Sequence, residues 1–225
     1  NQKYYNENLS VILDSDYDKL KKEIILLEKK YNFLKDKNSP SIIVGHKPLK
    51  HFKKALHRAP MLSLSNAFSE EDLINFEKKI MNYLNKTNNF EIEYSAEPKI
   101  DGISASLIYK NGKFQKGLSR GDGREGEDIS ENLKTINDIP LSISHNSFPT
   151  EVDIRGEVFI KNSDFTKLKD KFANPRNATS GSLRQKDSNE TNKIPLKFIA
   201  YTFGYESGMK INSQDEFLKN LSMWG

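Results

Sequence analysis

Residues Lys99–Ser119 read KIDGISASLIYKNGKFQKGLS, and this stretch sets the fold. Asn111-Gly112 favours the left-handed conformations of a type I′ turn, so residues 113–120 are expected to return antiparallel against the strand before them. Ala105, Leu107 and Tyr109 then share one strand face. Upstream, residues 90–109 are rich in Ile and Tyr and are expected to be β-structure, which puts Glu97, Lys99 and Asp101 on a common face. Downstream, 121–126 is a polar glycine loop, and a short helix carries Ile129, Leu133 and Ile136. Strands are expected at 151–160 and 195–205, with a helix at 163–172 between them. Ser213 and Glu216 cap a last helix that ends at Trp224-Gly225.

Towards the N-terminus, Tyr17, Leu20, Ile24, Leu27, Tyr31 and Leu34 recur at spacings of three and four, predicting a helix over about 16–36. Ser15 and Asp18 form a capping pattern at its start. Residues 37–60 carry Asn38-Ser39-Pro40, Gly45, Pro48 and Pro60 and read as irregular, with a domain boundary near residue 51. A second helix is expected over 70–85, capped by Ser69 and Asp72, with Leu73, Phe76, Ile80 and Tyr83 on one face. The class is α+β: a small helical domain over 1–51, then a mainly antiparallel domain over 52–225. Seven of the twelve glycines lie between 102 and 156, so tight turns and close backbone approaches concentrate there.

The 225 residues carry a formal net charge of +4, 36% hydrophobic and 10% aromatic residues and no cysteine. Disulfide scaffolds, thiolate metal sites and cysteine nucleophiles are excluded within these residues. Mean hydropathy is −0.71, and no run approaches the ~20 apolar residues of a membrane span. The start, Asn1-Gln2-Lys3-Tyr4-Tyr5, has neither an apolar leader nor an initiator Met. A cytoplasmic protein, and a fragment of a longer chain, are expected. Of the 35 cations only six are Arg, and Arg120, Arg124, Arg155, Arg176 and Arg184 fall within one third of the chain. Arg grips phosphate or carboxylate in two places where Lys offers a point charge, so the cluster marks a candidate anion site.

Lys99 stands between two carboxylates in Glu97-Pro98-Lys99-Ile100-Asp101-Gly102. As a bare pattern this reads as an exposed ion pair, worth under ~1 kcal/mol. The alternative is a lysine nucleophile. An amine of pKa ~10.4 is free in about one part in a thousand or less at neutral pH, so a nucleophilic Lys99 has to be desolvated or set among cations. Arg120, Arg155, Arg176 and Arg184 could supply that charge while gripping phosphate oxygens, and magnesium could do the same. Gly121-Asp122-Gly123-Arg124-Glu125-Gly126 matches a dinucleotide fingerprint, but the half-polar hairpin strand before it is not the buried parallel strand such a loop follows. His46, His51, His57 and His145 show no metal-ligand spacing and read as surface or local hydrogen-bonding residues.

These residues together resemble bacterial NAD⁺-dependent DNA ligases. Lys99-Ile100-Asp101-Gly102 is similar to the K-x-D-G motif of the covalent nucleotidyltransferases. Ser119-Arg120-Gly121-Asp122-Gly123 with Gly126-Glu127-Asp128 follows in the right order, then Arg155-Gly156-Glu157-Val158-Phe159, which resembles the R-G-E motif. Phe172-Ala173-Asn174-Pro175-Arg176-Asn177-Ala178 with Gly181-Ser182-Leu183-Arg184-Gln185, and Pro60-Met61-Leu62-Ser63-Leu64, resemble further signatures of the same family. Asp14-Ser15-Asp16-Tyr17-Asp18, with Tyr4-Tyr5 upstream, resembles the small helical domain that holds nicotinamide mononucleotide, which ATP-dependent relatives lack.

The resemblance implies a nucleotidyltransferase fold and gives roles by motif. Lys99 is the nucleophile that becomes adenylylated, and Asp101 orients it or a metal-bound water. Glu97 contacts adenine, Arg120 and Glu157 hold the AMP portion, and Ser63 and Leu64 line its pocket. Asp14, Tyr17 and Asp18, with Tyr4 and Tyr5, contact the nicotinamide end, so 1–51 is the mononucleotide-binding domain. Arg176 and Arg184 face phosphates of NAD⁺ or DNA. Tyr17 also fits a helix core stripe, and Arg155 with Glu157 also fits a strand ion pair. NAD⁺ is consumed as the AMP donor, magnesium assists, and nicked double-stranded DNA is the partner of a monomer near the nucleoid. Two further lysine-bearing motifs of the family lie past Gly225, so the fragment alone is not expected to ligate. Competing readings are an ATP-dependent polynucleotide ligase, a catalytically inert nucleic-acid-binding fragment, and a dehydrogenase resting only on the glycine loop.

Overall fold

The computed structural model of the chain describes residues 14–37, 39, 41–42, 52–86 and 90–225, without the side chains of Asp14, Ser15 and Asp18. It divides into two units, Asn1–Met61 with Lys99–Gly225, and Leu62–Pro98. In chain order the elements are helix α1 (Asp14–Lys30), a 3₁₀ turn (Asn32–Leu34), strand β1 (Lys54–Leu56), helix α2 (Glu70–Leu84), strands β2 (Ile103–Lys110), β3 (Lys113–Ser119) and β4 (Glu125–Glu127), and helix α3 (Ser130–Leu133). Strand β5 (Glu151–Ile160), helices α4 (Asn162–Phe165), α5 (Pro175–Leu183) and α6 (Ser188–Asn192), strand β6 (Leu196–Ser207) and helix α7 (Gln214–Trp224) complete the chain. The fold class is α+β with antiparallel sheets, as expected from the hairpin.

The larger unit is organised by a four-stranded antiparallel sheet in the order β3-β2-β5-β6. Asn111 (φ 51°) and Gly112 (φ 70°) are both left-handed, as a type I′ turn requires. One sheet face carries the core: Ala105, Leu107 and Tyr109 from β2, and Val152, Ile154, Val158 and Ile160 from β5. Ile129, Leu133, Ile136, Ile139, Leu183, Phe217 and Trp224 close over it. Tyr109 is buried whole, so its hydroxyl needs a partner; it donates to the Pro140 carbonyl at 2.8 Å. The opposite face of β5 carries Glu151, Asp153, Arg155 and Glu157, and it positions the candidate site. Strand β1 pairs antiparallel with β4, which fastens residues 53–61 to the glycine loop.

The hairpin, the strand over 151–160 and the last helix stand where they were expected, and Ser213 accepts the cap hydrogen bond from Glu216 N–H. Three expectations are corrected. Residues 90–102 are not a strand: pairing begins at Ile103, opposite Val158. Pro98 has no N–H to give a ladder, so Glu97, Lys99 and Asp101 do not owe their placement to strand alternation. The helix expected at 163–172 is one turn, and the substantial helix follows at Pro175, capped by Asn174 Oδ1 accepting from Asn177 N–H at 2.7 Å. Helix α1 ends at Lys30 rather than near 36, and Leu20, Leu27 and Leu34 of its stripe remain exposed.

The unit Leu62–Pro98 is built on α2. Ser69 caps it by accepting from Asp72 N–H, and Asp72 in turn accepts from Phe68 N–H at 2.9 Å. Only Met81 of the helix is buried; of the expected inner face Leu73, Phe76 and Tyr83 are exposed and Ile80 is half-buried.

Candidate active site

Glu157 is the centre of the site. It sits mid-strand on β5, 9% exposed, opposite Ser104 of β2, whose hydroxyl donates to Glu157 Oε2 at 2.8 Å. Burial pushes its carboxyl above the ordinary carboxylate value, while Ser104 and then the charges of Arg176, Lys99 and Arg120 act to lower it. The charges of three cations from three segments therefore act on one buried carboxylate. Arg176 arrives from the first turn of α5, Lys99 from the run before β2, and Arg120 from the end of β3. Arg176 Nη1 also donates to Asp101 Oδ1 at 2.9 Å. Lys99 is exposed, so the desolvation expected of a lysine nucleophile is absent and neighbouring cations are what the structure offers.

The Arg120 loop is held by its own backbone. Gly121 (φ 58°) and Gly123 (φ 89°) take the left-handed region, which L side chains avoid. Burial disfavours ionised Asp122, but hydrogen bonds from the Glu125 and Arg124 N–H groups prevail and hold its carboxyl below the usual value. The loop thus bonds inward on itself, unlike a cradle with N–H groups left open for a phosphate.

Arg155 and Gly156 of the R-G-E run have structural duties. Arg155 donates to the carbonyls of Pro60 (3.0 Å) and Ala59 (2.6 Å). Its Nε is the one buried side-chain polar atom among the described residues without a hydrogen-bond partner. Burial lowers its pKa, against the opposing pull of Asp153 and Tyr201. The strand ion pair of Arg155 with Glu157 is not what forms: Arg155 goes to backbone carbonyls and Glu157 to Ser104. A β-carbon on Gly156 would meet the Phe198 ring at 2.3 Å, so this position closes on β6.

Tyr201 belongs to the cluster and was not singled out from the sequence. It is the extra residue between Ala200, opposite Gly156, and Thr202, opposite Arg155. Burial raises its phenol pKa, against the lowering influence of Ser104, and Glu157, Arg120 and Arg155 act on it electrostatically. Period-two reading cannot find it, because a bulge shifts the alternation.

The remaining expected residues fall as follows. Glu97 is exposed in the unit Leu62–Pro98 and accepts from Ser95 Oγ–H at 3.1 Å. Ser63 and Leu64 of that unit are exposed as well. Arg184 caps α5 and lies 3.4 Å from Oε2 of the buried Glu127. Tyr17 is half-buried on α1. Tyr4 and Tyr5, and the side chains of Asp14 and Asp18, lie outside the described residues, as do His46 and His51. His145 bonds locally to Ser147, as expected; His57 departs from the local reading, reaching the Arg120 carbonyl 63 residues away. Among the described residues no three His, Asp or Glu side chains gather to hold a metal, so the magnesium expectation finds no protein cage. No described helix is long and apolar enough to cross a membrane.

The antiparallel sheet with its cover of helices is consistent with an adenylation domain of the nucleotidyltransferase type. A family model for the NAD-dependent DNA ligase adenylation domain matches residues 49–225, and the chain belongs to that family. It is similar to a DNA ligase of Pelagibacter ubique, 65% identical over the whole chain and 33% of that protein. DNA ligases of Rickettsia canadensis (46% identical; all of this chain, 33% of that protein) and Parvibaculum lavamentivorans (44%; 99% of this chain, 32% of that protein) are further relatives. The chain spans about a third of the length of the curated relatives it matches.

Proposed function

We propose that this chain is the part of a nick-sealing DNA ligase that takes AMP from NAD⁺ onto Lys99. Lys99 Nζ attacks the α-phosphorus. The bond from that phosphorus to the bridging oxygen breaks, nicotinamide mononucleotide leaves, and the amine gives up a proton as the phosphoramidate forms. AMP then passes to a 5′-phosphate at a nick, the 3′-hydroxyl attacks, and AMP departs. NAD⁺ is spent and no hydride moves. Arg120 and Glu157 hold the AMP portion, with Glu157, fixed by Ser104, at the ribose, and Arg176 faces the charge that develops at phosphorus. Transfers of this kind are catalysed chiefly by positioning and charge stabilisation. Buried Glu157 fixed by Ser104, with Arg176 bonded to Asp101 beside it and the charges of Lys99 and Arg120 acting on the same carboxylate, carries this reading.

The same reading assigns residues 1–51, with Tyr4, Tyr5, Asp14, Tyr17 and Asp18, to the nicotinamide mononucleotide end, and 52–225 to AMP transfer. Glu97 is assigned to adenine, Ser63 and Leu64 to the nucleotide, and Arg184 to DNA or NAD⁺ phosphates. A cytoplasmic monomer working on nicked duplex DNA with magnesium fits the same chemistry.

Intact-mass measurement of the full-length protein after incubation with NAD⁺ and magnesium tests it. The wild type gains one AMP and Lys99→Ala gains none. An adduct that persists in Lys99→Ala moves the nucleophile elsewhere, and ATP replacing NAD⁺ as donor overturns the donor assignment.

A further inference from the structure

Residues 53–61 form a strap between the Arg120 loop and β5. On one side Asp128 N–H donates to the Lys53 carbonyl (2.7 Å), His57 N–H to the Arg124 carbonyl (2.8 Å) and Met61 N–H to the Gly123 carbonyl (2.8 Å). On the other side Arg155 holds the Ala59 and Pro60 carbonyls, and Arg58 grips the Asp153 and Glu151 carboxylates. Within the strap, His57 is the side chain that reaches the root of Arg120. Its Nε2 lies 3.1 Å from the Arg120 carbonyl oxygen, which also accepts the Gly123 N–H at 3.0 Å. A carbonyl only accepts, so Nε2 carries the proton. Gly126 admits the ring: a β-carbon there would stand 3.0 Å from Nε2.

We infer that His57 is a positioning residue for Arg120, holding that carbonyl so that the guanidinium is aimed at the nucleotide beside Glu157. The inference rests on Arg120 being a nucleotide-holding residue, as in the proposed function. His57 touches both ends of the loop, its backbone at Arg124 and its side chain at Arg120, so the loop's two left-handed glycines cannot relax independently of it. Burial, the leading influence, lowers the pKa of the ring. The imidazole is neutral at pH 7, with its single proton on the nitrogen that faces the carbonyl. Small displacements of a substrate-holding group are costly to reactions that depend on geometry.

The test compares His57→Phe, which keeps a ring but loses the donor, with His57→Gln, whose amide nitrogen reaches the place of Nε2. Both are made in the full-length protein, and lysyl-AMP formation is followed by intact mass against NAD⁺ concentration. His57→Phe is expected to raise KM for NAD⁺ about tenfold with kcat within twofold, and His57→Gln to stay within threefold of wild type in both. An unchanged KM in His57→Phe overturns the inference. So does equal impairment of the two variants, which would make ring packing the cause. A ¹⁵N spectrum of the wild-type imidazole tests it without substitution: the Nε2–H tautomer is expected, and Nδ1–H overturns it. A wild type that gains no AMP overturns the nucleotide reading itself, leaving the tautomer result to stand alone.

Discussion

Gly102 is pressed against the carbonyl oxygen of Val158: a β-carbon on Gly102 would stand 2.1 Å from that oxygen and 3.0 Å from Glu157 Cγ. This contact lets the chain carrying Lys99 and Asp101 enter the sheet beside Glu157. Gly102→Ala has to push β2 away from β5 and is expected to lose about 3 kcal/mol, at the upper end of overpacking costs. Gly208 is left-handed (φ 81°) with nothing within 4 Å of a β-carbon, so Gly208→Ala is expected to lose only about 1 kcal/mol. Urea unfolding midpoints of the two variants check the contrast. Equal losses would show that the Val158 contact costs no more than a left-handed backbone does.

The strap depends on a buried charge pair. Asp153 is 2% exposed, Arg58 Nη2 is 2.5 Å and Nε 3.0 Å from its Oδ1, and the guanidinium stacks 4.2 Å from the Tyr205 ring centre. Removing one member of such a pair leaves the other charge uncompensated. Arg58→Met is expected to cost about 3 kcal/mol, and Asp153→Asn in the same chain to restore most of it. Thermal melts of the two single variants and the double variant measure the coupling; simple additivity would refute it.

Glu157 gives a pH signature. Its carboxyl titrates above the ordinary value because burial outweighs Ser104 and the surrounding cations. The folded state therefore binds this proton more tightly than the unfolded state does. Ionised Glu157 lowers stability above its folded pKa. The penalty is relieved as pH falls through that value, and is gone once the unfolded carboxyl is also protonated, below about pH 4.3. Glu157→Gln is expected to melt higher than wild type at pH 7, with the difference vanishing near pH 4, while AMP transfer is lost. A gain constant from pH 4 to 8 would contradict this.

Arg176 separates function from stability. Its partner Asp101 is 66% exposed, and pairs of that kind contribute up to about 1 kcal/mol. Arg176→Ala is expected to shift the unfolding midpoint by less than that, yet to slow AMP transfer by about a hundredfold, as loss of a transition-state donor does. A variant that unfolds readily but transfers AMP normally once folded would reverse the assignment.

The hairpin, the β5 strand and both serine-capped helices were legible in the sequence because each is set by local chemistry: a turn dipeptide, a hydroxyl cap, an apolar alternation. Lys99, Arg120 and Glu157 stand out in the sequence through motifs, and in the fold the charges of Lys99 and Arg120 act on the Glu157 carboxylate. Helix α5 carried a readable signal, Asn174 before Pro175, that was passed over. Three features depend on what the chain meets in space. Strand pairing begins only at Ile103, past Lys99 and Asp101, Tyr201 arrives through a bulge, and Arg155 is claimed by the carbonyls of Pro60 and Ala59, 95 and 96 residues upstream.

The added residue at 201 makes β6 a counting device. Because it lets Thr202 stand opposite Arg155 after Ala200 has stood opposite Gly156, removing the residue before it would close the bulge and carry Tyr201 to the opposite face, as a one-residue slip does. Diversified libraries of this segment should tolerate many exchanges between 199 and 205 yet reject single-codon deletions and insertions.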